Sequence, residues 1–273
     1  MFEKFLGFVA VPMGIILNWI YENVAFHNYG LAIIIFTLVI RFALMPLLVK
    51  QHKSTAKMQT IQPKINELQA KYKGDPQTLN MELAKIYKEN DINPLGGCLS
   101  AIIQMPVLFS LLYVIGKPLT YMKRLGVSEI QNLVSLVPEK QRVVGFYEQI
   151  SAVTYHNILN MDFLGMNLGN IPTLNFDKIF NSGNTREYLL LLSLPILATV
   201  TTYISVKLGM NSNKVVNNTN DKIGSTSNTM IYITTISTLI FSFQFPAGLS
   251  IYWLVGNLFQ IVQQLYINKY VME

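Results

Sequence analysis

Residues 29–49 read YGLAIIIFTLVIRFALMPLLV, and this stretch decides the fold. Its length meets the roughly 20 apolar residues that an α-helix needs to cross a bilayer, yet Arg41 stands near its middle. An ionised side chain at that depth costs from about 2.5 kcal/mol upward. Such a residue persists where the surrounding bundle supplies water, dipoles or a counter-charge. The stretch therefore points to a bundle of spans with a polar interior rather than to a lone anchor.

The rest of the chain agrees. Four further stretches are long and apolar enough to span: 98–116, 188–206, 229–245 and 249–266. The last two are joined by Pro246-Ala247-Gly248, a tight hairpin turn. Only 13% of the 273 residues are charged, against about 25% in soluble domains. The formal net charge of +6 marks a cytoplasmic side rather than nucleic-acid binding, so no DNA partner is expected. The single cysteine, Cys98, excludes an intramolecular disulfide framework and any multi-cysteine metal site. The fold class expected is an all-α membrane protein: a five-transmembrane-helix bundle with a cytoplasmic helical hairpin and an N-terminal interfacial helix.

Lysines set the orientation. The segment 50–95 carries Lys50, Lys53, Lys57, Lys64, Lys71, Lys73, Lys85 and Lys88, and Lys207, Lys214 and Lys222 follow the third span. On the other side, the long loop 117–187 nearly balances its charges. The positive-inside rule then places 50–95 in the cytoplasm, the start of the chain outside and the short tail 269–273 inside. Within residues 1–28, the stretch 5–21 has no clear cleavage site for a signal peptidase. Lys4, Gly7, Gly14, Asn18 and Glu22 share one helical face, and Phe5, Phe8, Val9, Ile16, Trp19 and Ile20 another, which suits a helix lying in the interface. A sixth span or an uncleaved anchor is the alternative.

Met58, Ile61, Ile65, Leu68 and Tyr72 repeat at helical seam spacing, and Leu79, Leu83 and Ile86 resume that rhythm after a break. The break is Gly74-Asp75-Pro76, in which Asp75 suits an N-cap and Pro76 a first helical turn. Pro63 marks where the first hairpin helix begins. Lys57, Lys64, Lys71, Lys73, Lys85 and Lys88 make this hairpin a basic arm beside the membrane, suited to anionic lipid, ribosomal RNA or acidic proteins.

No Asp or Glu falls within the five spans, so Arg41 lacks an intramembrane counter-ion; Glu187 only borders the third. Snorkelling to the cytoplasmic headgroups would require reaching past about nine residues, roughly 13 Å of helix. A hydrated cavity is the better reading. Polar residues that could line it are Thr37 on the first span, Ser100 and Gln104 on the second, and Thr199, Thr202 and Tyr203 on the third. The fourth offers Thr235, Thr238 and Ser242, and the fifth Trp253, Asn257, Gln260 and Gln264. Ser, Thr and Gln also join helices to one another, so each set alone has a plain structural reading. A cation in such a groove would attract an anion from outside, for instance a carboxylate on another chain. Pro46, Pro106 and Pro195 permit kinks in the spans.

The spans hold no histidine and no paired carboxylates, and the chain has no H-E-x-x-H motif and no Gly-rich nucleotide loop. The halves show no convincing repeat of the transporter kind. Neither an enzyme nor a cofactor is expected.

These features together resemble the YidC/Oxa1/Alb3 membrane protein insertases. The resemblance rests on Arg41 and Pro46, Lys50-Gln51, Gln62-Pro63-Lys64-Ile65 and Gln69-Ala70-Lys71-Tyr72-Lys73. It continues through Asn93-Pro94-Leu95-Gly96-Gly97-Cys98, Gln104-Met105-Pro106, Phe245-Pro246-Ala247-Gly248, Tyr252-Trp253 and Asn257. In order and spacing they cover residues 29–268, which the resemblance makes an insertase core. It implies a groove open to cytoplasm and lipid, with Arg41 as its cation and Gln104, Trp253 and Asn257 as lining, to which the polar pattern adds Thr37, Thr202 and Gln260. Implied partners are nascent membrane proteins, the Sec translocon, ribosomes and targeting factors, and the lipid bilayer. The expected location is a bacterial cell membrane. Two departures stand out. No long basic tail precedes Glu273, which puts tail-mediated ribosome binding in doubt, and the loop 117–187 is too short for the large periplasmic domain of some relatives. The rival functions are a folding chaperone that translocates nothing and a small-anion transporter.

Overall fold

The computed structural model describes residues 2–90, 92, 99–143, 145–180, 183–211 and 221–270. The motif at 93–98 with Cys98, Lys214, and the side chains of Ser100 and Lys222 lie outside the described residues. Helices α1 (Phe2–Asn23), α2 (Tyr29–Thr60), α3 (Gln62–Lys71), α4 (Pro76–Glu89) and α5 (Leu99–Gly116) form the first half. A segment of short elements follows with α6 (Pro118–Tyr121), α7 (Val127–Ser135), α8 (Glu148–Tyr155), strands β1 (Asp162–Phe163) and β2 (Met166–Asn167), and α9 (Phe176–Phe180). The chain then runs through α10 (Thr185–Asn211), α11 (Asp221–Ser242) and α12 (Ala247–Tyr270).

The five apolar stretches correspond to α2, α5, α10, α11 and α12. Tyr29–Gln51 of α2 and Thr185–Gly209 of α10 are long and apolar enough to cross a bilayer, while α5 and α11 contribute the shorter apolar segments Gln104–Gly116 and Ile231–Ser242. α12 is diluted by Asn257, Gln260, Gln263 and Gln264 on an otherwise apolar helix. α10 packs on α11 and α12, α12 packs on α2, and α1 packs on α5 and α2. Tyr29, Phe36, Leu111, Ile115, Leu191 and Tyr252 are buried among them. Ile196, Val200, Ile233, Ile236, Ile240, Leu258 and Val262 are exposed, an outward apolar surface that suits lipid contact rather than water.

α2 does not stop at the expected membrane boundary near residue 49. It continues unbroken to Thr60, because Lys, Gln, Ala and Met are good helix formers and no breaker intervenes before the turn at Ile61. Its 32 residues make about 48 Å of helix, longer than the roughly 30 Å hydrocarbon core. Pro46, Pro106 and Pro195 all lie inside helices, as expected, and Pro12 does too.

α1 differs in part from its expected amphipathicity. Ala10, Met13, Leu17, Ile20 and Tyr21 are buried, and Gly14 is buried with them. The exposed side carries Phe8, Val11, Ile15, Ile16 and Trp19. Ile20 and Gly14 thus fall on the protein side, and the outward face is apolar. Glu22, at the end of α1, accepts a hydrogen bond from Lys123 beyond α6 and pairs with His27 at 3.0 Å. The Lys123 bond, assisted by His27, holds its carboxyl below the usual carboxylate range.

The small β-hairpin was not legible beforehand, and it ties the outer helix ends together. Tyr29 N donates to Asn160 O at 3.0 Å, Ala247 N to Asn170 O at 2.9 Å, and Gly248 N to Leu168 O at 3.0 Å. Glu187, at the start of α10, accepts from Asn167 N at 3.2 Å and Asn170 Nδ2 at 2.8 Å. The first N–H groups of a helix have no partner within it, and here the hairpin provides acceptors for those of α2 and α12. Phe163 fills the space where a side chain on Gly30 would begin, 2.3 Å from that Cβ position. A cleft of about 340 Å³ also opens beside α8, lined by Gln141, Ser151, Thr154, Tyr155 and Asn170 among others; none of its lining residues is an expected groove residue.

The basic arm is a helical hairpin of α3 and α4. Ile61 and Ile65 are buried against Ile92, with Met58, Leu83, Ile86 and Tyr87 packed around them. Pro63 lies in the first turn of α3 and Pro76 opens α4. Asp75 caps α4, accepting from Thr78 N at 3.1 Å and Thr78 Oγ1 at 2.5 Å. The Thr78 hydroxyl bond, joined by backbone bonds, lowers the Asp75 carboxyl from its ordinary 3.8. A lowered folded value means that this cap stabilises α4 above pH 3.8 and is lost as pH falls through the lower folded value. Asp75→Ala is expected to speed hydrogen exchange at the amides of residues 77–79 at neutral pH. The intact protein should show the same speeding only in acid.

Candidate functional site

Arg41 lies in the middle third of α2 and is half-buried. Its guanidinium lies against the backbone of α12 at Gly256. A Cβ there would stand 2.5 Å from Arg41 Nη2 and 3.3 Å from both Cζ and Nε. Tyr252, one turn earlier on α12, is within electrostatic reach of the same charge. Among the described residues, Arg41 has no carboxylate partner and its guanidinium makes no hydrogen bond. That agrees with the absence of acidic residues from the five spans.

Gln104, on α5, donates from Nε2 to the Tyr252 hydroxyl at 2.6 Å. This bond links α5 to α12 beside the arginine's neighbour. Trp253 packs its ring on Phe245 at 6.1 Å between centroids and is partly exposed, as is Gln260. Phe42, next to Arg41, meets Phe259 edge-on at 4.9 Å. Arg41, Gln104, Tyr252 and Gly256 thus converge where α2, α5 and α12 meet.

Three other expected lining residues make hydrogen bonds within the bundle. Thr37 is fully buried and donates to Ile33 O on its own helix at 2.6 Å. Thr202 is buried, donates to Ala198 O at 2.8 Å and accepts from Asn257 Nδ2 at 2.7 Å. Asn257 Nδ2 also lies 3.3 Å from Thr201 Oγ1 and from Ala198 O. Asn257 and Thr202 therefore join α12 to α10. Tyr252 and Gly256 are the residues that side-chain chemistry alone did not single out. A tyrosine in a span reads as an interface aromatic, and a glycine has no side chain to announce a contact.

The hairpin lysines Lys57, Lys64, Lys71, Lys73, Lys85 and Lys88 are all exposed. Lys71 lies over the Tyr72 ring at 5.1 Å. The hairpin therefore carries its positive charge outward, on the arm that extends from α2.

The geometry defines a helical membrane protein with a half-buried cation and a projecting basic arm. The family model for the 60Kd inner membrane protein matches residues 19–273. The chain is 32% identical over 253 residues to membrane protein insertase YidC 2 of Bacillus anthracis, covering 91% of this chain and 75% of that one. It is 30% identical over 266 residues to membrane protein insertase YidC 2 of Listeria innocua, covering 96% and 71%. Against membrane protein insertase YidC of Chlorobium phaeovibrioides it is 32% identical over 271 residues, covering 99% of this chain but 38% of the relative. The chain belongs to the YidC/Oxa1/Alb3 family of membrane protein insertases, whose members act without catalytic chemistry.

Asn257→Ala removes the α10–α12 bond. It should cost about 0.6 kcal/mol and at most about 1.7, the range for hydrogen bonds between membrane helices. Reversible unfolding in mixed micelles measures this, and Thr202→Val added to Asn257→Ala should cost little more.

Proposed function

We propose that this protein inserts membrane proteins by receiving a polar, often acidic, part of an incoming chain at Arg41 while the apolar part leaves into lipid. The observation that carries this reading is the half-buried Arg41 guanidinium, without a carboxylate partner among the described residues, in a chain of the insertase family. Gln104 with Tyr252, Trp253 and Gln260 line the path around that charge, and Thr37, Thr202 and Asn257 hold its walls together. No bond is made or broken. Moving a polar group into hydrocarbon without a partner costs several kcal/mol, and water, dipoles and one fixed cation lower that cost.

In this reading α2, α5, α10, α11 and α12 all cross the bilayer, with the start of the chain outside and the tail at 269–273 inside. The groove opens to the cytoplasm and to lipid. α1 lies at the outer surface with Phe8, Ile15, Ile16 and Trp19 turned to lipid. The hairpin lysines receive substrate at the cytoplasmic mouth, where ribosomes, targeting factors and the Sec translocon would deliver it. The membrane is that of a bacterial cell, as for the relatives above.

The test is reconstitution in liposomes with a single-span substrate bearing a short acidic outer tail, read by protease protection of that tail. Protection should require the protein and fall roughly tenfold or more for Arg41→Ala, because charges about 4 Å apart interact by about 1 kcal/mol in water and about 4 near a protein surface. Arg41→Lys should retain more activity than Arg41→Ala. Equal protection in empty vesicles would favour a chaperone that shields spans without translocating. Full activity of Arg41→Ala would remove the electrostatic step from the mechanism.

A further inference from the structure

We propose that Gly256 is a positioning residue: its missing side chain is the seat that fixes where the Arg41 guanidinium stands. This rests on the reading of Arg41 as the cation that meets substrate. A Cβ at 256 would fall 2.5 Å from Nη2, closer than a carbon can approach it, and 3.3 Å from Cζ and Nε, a tight contact. All three contacts are with the far end of one flexible side chain, and none is with backbone. A methyl group at this buried position therefore does not force α12 away from α2. It displaces the guanidinium instead. Glycine also weakens a helix interior relative to alanine, so helix propensity does not account for its presence in α12.

The neighbours sharpen this assignment. Tyr252, one turn before Gly256, is committed to Gln104, and Asn257, next along, is committed to Thr202 and Thr201. Gly256 lies between two anchored contacts, so the helix cannot easily rotate to make room. The charge is held against α12 by shape, without an ion pair among the described residues that would neutralise it. Its donors stay available to an incoming carboxylate. Alanine at 256 would keep the charge but move it, which distinguishes this role from that of Arg41 itself.

The experiment compares the full-length protein with Gly256→Ala, Arg41→Lys and the double variant, all in liposomes. Lysine lacks the branched guanidinium that the new methyl would strike, so the effect of Gly256→Ala should shrink in the Arg41→Lys background. Insertion of an acidic-tailed substrate should fall roughly tenfold for Gly256→Ala in the Arg41 background, within the coupling range of contacting residues. A neutral-tailed substrate should be affected much less. Phenylglyoxal labelling, read residue by residue by mass spectrometry, gives a readout independent of insertion. Reactivity at Arg41 should change in Gly256→Ala while Arg124, Arg142 and Arg186 serve as unchanged references. Unchanged labelling at Arg41 overturns the proposal, and so does an equal loss in the Arg41 and Lys backgrounds, which would mean that alanine acts through helix packing. Changed labelling alongside normal insertion by Arg41→Ala supports the seat and overturns only the electrostatic role on which its function rests.

Discussion

Hydrocarbon offers no partner to a peptide N–H, an amide or a guanidinium, and in this bundle α12 supplies many of the partners that are needed. At its outer end Ala247 and Gly248 donate to the hairpin carbonyls. One turn in, Tyr252 accepts from Gln104 of α5. Gly256 receives the Arg41 side chain of α2, and Asn257 bonds to Thr202 of α10. These contacts connect the outer hairpin with helices from both halves of the chain. On α12, Tyr252 and Asn257 are committed to neighbours, and the apolar residues Leu258, Val262 and Leu265 face outward.

The protein is also polarised from end to end. The N-terminal ends of α2, α10 and α12 meet at a compact hairpin and are hydrogen-bonded to it, with Glu187 as the acceptor on α10. The opposite side carries a helical arm whose lysines are exposed. Arg41 stands between the two, nearer in charge to the arm and held in place by α12. A negatively charged segment approaching from the arm's side would meet positive charge first at the surface and then at depth. Electrostatic attraction of this kind raises local concentration without requiring tight binding.

Local patterns in the sequence carried much of this organisation. The span with Arg41, the hairpin seam from Ile61 to Ile86 and the Asp75 cap depend on residues a few positions apart, and periodicity and capping rules read such spacings well. The continuation of α2 to Thr60 was missed because hydropathy marks where apolar character ends, not where a helix ends. Strands of two residues leave no periodic trace, so the outer hairpin was invisible beforehand. The partner of Gln104 lies 148 residues away, and nothing local announces it. Thr37 and Thr202 were read from their hydroxyls, and the carbonyls those hydroxyls bond to lie four residues back on their own helices. Glycine at 256 was silent for the opposite reason: its role is to be absent where Arg41 must stand.

The order of synthesis gives the seat of Arg41 a further meaning. The chain grows from its N-terminus, so α2 enters the membrane long before α12 exists. At roughly 5–20 residues per second the interval is on the order of ten seconds or more. Throughout it, the guanidinium lacks Gly256 and the hairpin lacks the amides of Ala247 and Gly248. The bundle is therefore completed by its last element: α12 brings both the seat for the charge and the amides that bond to the hairpin. An unfinished chain is chemically distinct from a finished one, because the same arginine is bare in the first and seated in the second.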